Sequence, residues 1–174
     1  MSALRAGNYE PIYLLYGEEP YYIDQISDYI QANALDEASQ AFDLLIVYGK
    51  DTPDIRPIIE SARQFPMMGN RQVILVKEAQ NIKDWSAFEP YVSQPMPSTI
   101  LCLCYKHGKP DMRLKAFKAA AEKFVAFESK PLYDDRIAPW ITNYVRSHNA
   151  EIDFTAATLL AEYLGNDLQR IVNE

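Results

Sequence analysis

The sequence predicts an α/β fold, a mainly parallel sheet flanked by helices, followed by a smaller all-helical segment. Short apolar, β-rich runs recur at residues 12–16, 42–48, 72–76, 100–105 and 124–127, with helical periodicity between them, an alternation that gives parallel strands joined by crossovers. The run QVILV at residues 72–76 is continuously apolar, as a strand covered on both faces should be. From Asp135 onward the strand signal stops.

The elements follow in order. Residues 12–16 form a strand that ends at Gly17, and Ile23, Ile26 and Ile30 then repeat at helical spacing. The second strand, FDLLIVY, closes at Gly49. Asp51 or Thr52 can cap the next helix, with Pro53 in its first turn and Ile55, Ile58, Ile59 and Ala62 on one face. The connector QFPMMG at residues 64–69 breaks the periodicity before the third strand. Asp84 can cap a brief helix carrying Trp85, Phe88 and Tyr91, and the fourth strand, ILCLCY, leads to a turn at residues 106–110. Asp111 can cap the helix MRLKAFKAAAEK, and FVAF is the fifth strand. A break at Ser129-Lys130-Pro131 separates an α/β domain, residues 1–131, from a helical one, residues 132–174. There Ile137, Trp140, Ile141, Tyr144 and Val145 make one stripe, with Pro139 placed in the first turn. Ala156, Leu159, Leu160, Tyr163 and Leu164 make a second helix ended by Gly165, and a third begins near Asp167 and reaches Glu174 uncapped, which reads as one module of a longer protein.

The 174 residues and 48% hydrophobic content support a packed core. A net charge of −7 opposes autonomous binding to DNA or to an anionic membrane, which need a basic footprint. No signal-peptide core and no run of about 20 apolar residues occurs, so a cytoplasmic location is expected. Cys102 and Cys104 alternate on a strand, facing the same way at a separation too long for a disulfide, and read as reduced core thiols. With only His107 and His148 beside them, no zinc spacing is present.

The strand, glycine turn and helix at residues 12–24 are the frame in which nucleotide-binding folds hold a phosphate. The chemistry is missing. On the pattern G-x-x-x-x-G-K-[ST] Gly17 fits the first glycine, but Tyr22, Ile23 and Asp24 stand where the second glycine, the lysine and the hydroxyl belong. Glu18 and Glu19 would repel a polyanion, at about 1 to 4 kcal/mol per like-charge contact at 4 Å; otherwise the pair reads as a solvated turn. The third strand is followed by Lys77 and Glu78, a cation where a magnesium-holding carboxylate is needed.

Four segments, YLLYGEEPYYID, FPMMGNRQVILVKEA, DMRLKAFK and LLAEYLGNDLQRIVNE, in this order and spacing, resemble the delta subunit of bacterial DNA polymerase III, a clamp-loader subunit. The resemblance implies an AAA+-type, P-loop-like α/β domain followed by part of a small helical lid, no ATPase activity or catalytic site, and no cofactor. It implies as partners the sliding clamp (beta subunit), the other clamp-loader subunits in a full-length protein, and primed DNA only within the assembly; no membrane is involved. The family carries an exposed hydrophobic pair that engages the clamp, matched in register by Met67 and Met68, followed by Arg71-Gln72. Phe65 is the expected inward-facing anchor of the connector, and Arg71 either bonds nearby carbonyls or begins the strand exposed. Lys106, Lys109, Arg113, Lys115 and Lys118 form a basic segment that is either a candidate nucleic-acid contact, carried by Lys106, Lys109 and Arg113, or an exposed helix face. The alternative function is a nucleotide-dependent α/β enzyme with an atypical phosphate site.

Overall fold

The computed structural model describes residues 2–174, which divide into two compact units, the first ending at Ser129 and the second spanning Lys130–Glu174. In the first unit a short helix α1 (Ser2–Arg5) precedes β1 (Ile12–Gly17), α2 (Pro20–Asn33), α3 (Glu37–Asp43) and β2 (Leu44–Tyr48). There follow α4 (Arg56–Ala62), β3 (Gln72–Lys77), α5 (Phe88–Ser93), β4 (Thr99–Lys106), α6 (Lys115–Lys123) and β5 (Val125–Ser129). The strands pair in parallel in the order β2-β3-β4-β1-β5. The α/β class and the parallel sheet are therefore as the sequence predicts.

The continuous apolar runs have a direct physical cause. Successive strand residues point to opposite faces, and here both faces are covered. Ile12 and Leu14, Ile74 and Val76, and Leu101 and Leu103 belong to a core that includes Ile58, Ile59 and Ala62 of α4, Phe88 and Tyr91 of α5, and Phe117 of α6. Their neighbours Tyr13 and Leu15, Val73 and Leu75, and Cys102 and Cys104 enter a second core with Leu4 of α1 and Ile23 and Ile30 of α2. Cys102 and Cys104 are buried free thiols with sulfurs 4.0 Å apart.

Several local expectations are corrected. Phe42 and Asp43 end helix α3, whose cap Asp36 accepts a hydrogen bond from Ser39 N at 2.8 Å, and β2 starts after them. The caps expected at Asp51 or Thr52, Asp84 and Asp111 do not form. Asp54 takes Arg56 N at 2.8 Å, and Pro57, not Pro53, lies in the first turn of α4. Asp84 takes Ser86 N at 2.9 Å, leaving Trp85 ahead of α5 with its indole donating to Ile82 O at 3.0 Å. Asp111 takes Arg113 N at 3.0 Å, and α6 begins only at Lys115. In the last two cases the carboxylate closes a local turn two residues on, so the chain bends before helix begins.

The second unit contains α7 (Asp134–Ser147), α8 (Phe154–Leu164) and α9 (Leu168–Asn173). Pro139 lies in the second turn of α7 rather than the first; its exposed position lets the ring face solvent. Asp153 and Asp167 cap α8 and α9 through Thr155 N and Arg170 N, both at 3.0 Å, and Gly165 leaves α8 at a φ of +70°. No helix among the described residues is long and apolar enough to cross a membrane.

Candidate functional site

The connector between α4 and β3 sits at the amino ends of the strands, and its side chains point outward. Phe65, Met67 and Met68 are 78%, 76% and 62% exposed. The inward anchor expected at Phe65 is thus wrong. The anchor is Asp43 at the end of α3, only 5% exposed, whose carboxylate accepts hydrogen bonds from the backbone N–H of Met67, Met68 and Gly69, the last two at 2.9 Å. Burial raises the Asp43 pKa, but the three amide bonds outweigh it and the carboxyl is held below its ordinary value. Gly69 approaches α3 closely: a Cβ there would lie 2.8 Å from Ser39 Oγ, one turn before Asp43. The start of the connector is held as firmly. Gln72 Nε2 donates to Gln64 O at 2.7 Å and Thr99 Oγ1 at 2.9 Å, and Thr99 Oγ1 donates to Ala62 O at 2.8 Å. The result is an apolar tip on a backbone fixed at both ends.

Arg71 does not bond connector carbonyls; its guanidinium lies over the Tyr9 ring, 5.1 Å from the centroid. Both residues line a polar cleft of about 320 Å³ with Asp36, Ser39 and Gly69. A cation beside an apolar tip suits a partner that presents an acidic group next to an apolar pocket.

At the opposite, carboxyl ends of the strands, about 16 Å away by the rise along β3, the phosphate frame is filled by the protein itself. Glu19 is not a solvated turn residue. It is 5% exposed and caps α2 by accepting Tyr21 N at 2.8 Å, placing a carboxylate where a phosphate would meet the helix terminus. Ile23 is fully buried in the core. Lys77 Nζ donates to Ser27 Oγ at 2.8 Å and Asp28 Oδ1 at 2.9 Å, with Asp24 Oδ1 3.9 Å away. Burial lowers the Lys77 pKa, yet the hydrogen bond to Asp28, together with Cys104 and the Asp28 and Asp24 charges, more than offsets it and the net shift is upward. Gly17, at a φ of +142°, passes so close to β5 that a Cβ would lie 1.9 Å from Ser129 O.

Three cations of the basic segment have carboxylate partners. Lys106 pairs with Asp24 at 2.7 Å, Lys109 with Glu128 at 2.6 Å, and Arg113 with Asp111 at 2.8 Å. The Arg113 side chain drives the Asp111 pKa down to about 2, as expected for a carboxylate spent on a cation. Among the described residues no group of three metal-ligating side chains converges.

The family model described as DNA polymerase III, delta subunit, matches residues 13–130. The chain belongs to this family. DNA polymerase III subunit delta of Bacillus subtilis is 27% identical over 182 aligned positions, covering 99% of this chain and 52% of the relative. The solved Bacillus subtilis DNA clamp loader delta protein superposes with a TM-score of 0.76 at 26% identity, over 99% of this chain and 55% of that one. A gamma-subunit-related protein of Thermotoga maritima matches at a TM-score of 0.55 and 15% identity, over 99% and 55% of the two chains. A RuvB variant of that organism matches at 0.55 and 12%, over 92% and 51%. These last two speak to the AAA+-type fold alone. The chain spans about half the length of the relatives it matches. In this delta-subunit chain Asp43, the connector and Gln72 all fall within the matched residues.

Two features escaped sequence reasoning. Asp43 carried no motif, and its only signal was an acidic residue placed between Phe42 and an apolar strand. Glu19 was noticed, but not its burial; its backbone N–H meets Ser129 O of β5 at 3.4 Å, a contact between residues far apart in sequence.

Proposed function

We propose that this chain is the clamp-contacting part of a clamp-loader delta subunit in DNA replication, with Met67 and Met68 inserting into an apolar pocket of the sliding clamp. The observation that carries the reading is the exposure of both methionines, 76% and 62%, on a backbone held by Asp43 and Gln72. An exposed apolar pair is costly to display unless something covers it, and methionine fits irregular pockets. Arg71 then meets an acidic group at the pocket rim. The unit ending at Ser129 serves as an AAA+-type scaffold and the helical unit as part of the lid, in a cytoplasmic assembly where other loader subunits supply ATP hydrolysis and DNA is met only through the whole. The nucleotide-dependent enzyme reading has against it the carboxylate of Glu19 at the helix terminus and the cation of Lys77 at the metal position.

The test is equilibrium binding of the chain to its immobilised cognate clamp, without nucleotide. Saturable binding at micromolar concentrations or below is expected, and no detectable association would refute the proposal.

A further inference from the structure

We propose that Asp43 is a positioning residue for the partner contact: its carboxylate organises the connector so that Met67 and Met68 are presented outward before the partner arrives. The inference rests on the reading of the connector as the clamp-binding element. Three successive backbone N–H groups converge on this one carboxylate across 24 to 26 residues of sequence. Successive amides turned the same way form an anion-binding nest. Here the anion is built in. Asp43 stands at the last residue of a helix, where the carbonyl dipoles disfavour a negative charge, so its local position is unfavourable and the connector amides compensate for it. With the carboxylate removed, three N–H groups lose their acceptor and residues 67–69 gain conformations. Ordering them again would then fall to the binding step, as for any contact loop that is not pre-organised.

Asp43→Asn tests this, since it keeps the side-chain volume and puts an N–H₂ donor among donors. In the free chain, amide hydrogen exchange at Met67, Met68 and Gly69 should quicken by about tenfold or more relative to amides of β3. Affinity for the clamp should fall by about tenfold in the otherwise natural chain, and by less than about twofold when Met67→Ala and Met68→Ala are already present, because coupled residues are not additive. Unchanged exchange, or an equal loss of affinity in both backgrounds, would overturn the proposal, the latter by showing that Asp43 acts through the fold at large. Loss of the methionines without loss of affinity would instead overturn the reading of the connector, and exchange measured without clamp keeps the two failures apart. Should Asp43→Asn not fold, the natural chain gives a second measurement: the amide shifts of residues 67–69 should follow one carboxyl titration below the ordinary carboxylate range. Amides that ignore that titration would refute the role.

Discussion

Replacing Met67 and Met68 together with alanine should separate binding from folding. Taking a methionine side chain fully out of water contributes about 1.5 to 3 kcal/mol. With 76% and 62% of the two residues exposed in the free chain, most of that gain is still available to a partner. The pair therefore offers about 2 to 4 kcal/mol on docking, a weakening of about thirtyfold to several hundredfold when both are truncated. Folding should change by no more than about 0.5 kcal/mol, the usual range for surface positions, because the connector is held through backbone amides that the substitutions leave in place. The assay is equilibrium binding to the immobilised clamp, run beside urea unfolding of the same two proteins. A double variant that loses several kcal/mol of folding stability would show these side chains to be core. One that binds the clamp as before would remove them from the interface.

Millimolar Mg-ATP should leave the melting temperature unchanged, whereas a ligand at about 100 times its Kd would stabilise by about 2.7 kcal/mol; a reproducible upward shift counts against the filled phosphate seat. Gly17→Ala should cost about 3 kcal/mol or more, from a positive φ and a Cβ forced against the Ser129 backbone; near-normal stability in a denaturant titration would show that β5 can move aside. Because the folded-state Asp43 pKa lies below the unfolded value of about 3.9, its contribution is complete above that value and is lost as pH falls through the folded one. The stability gap between the natural chain and Asp43→Asn should therefore be constant from about pH 5 to 7 and close below about pH 4, and a gap that widens in acid would contradict the sign.

What the sequence determined by itself was whatever depends on local pattern. Apolar, β-rich runs at residues 72–76 and 100–105 read as strands, the first as one covered on both faces, and alternation with helical stripes predicted the mainly parallel sheet. The departure from the phosphate-loop pattern was legible too, because Ile23 and Asp24 stand where a lysine and a hydroxyl belong. The exposure of Met67 and Met68 was not determined by pattern, since a Phe-Pro-Met-Met segment suits a core equally well. Tertiary structure decided that: a buried carboxylate from α3 meets three amides of the connector, and both side chains are exposed. The exposure of Phe65 was likewise not determined by pattern. The carboxylates that meet Lys106 and Lys109, Asp24 and Glu128, are likewise distant in sequence and could not be read from it. Hydrophobic periodicity is written along the chain because it arises from the repeat of a single element. A charge or amide finds its partner through space, across separations at which one residue carries no mark of the other.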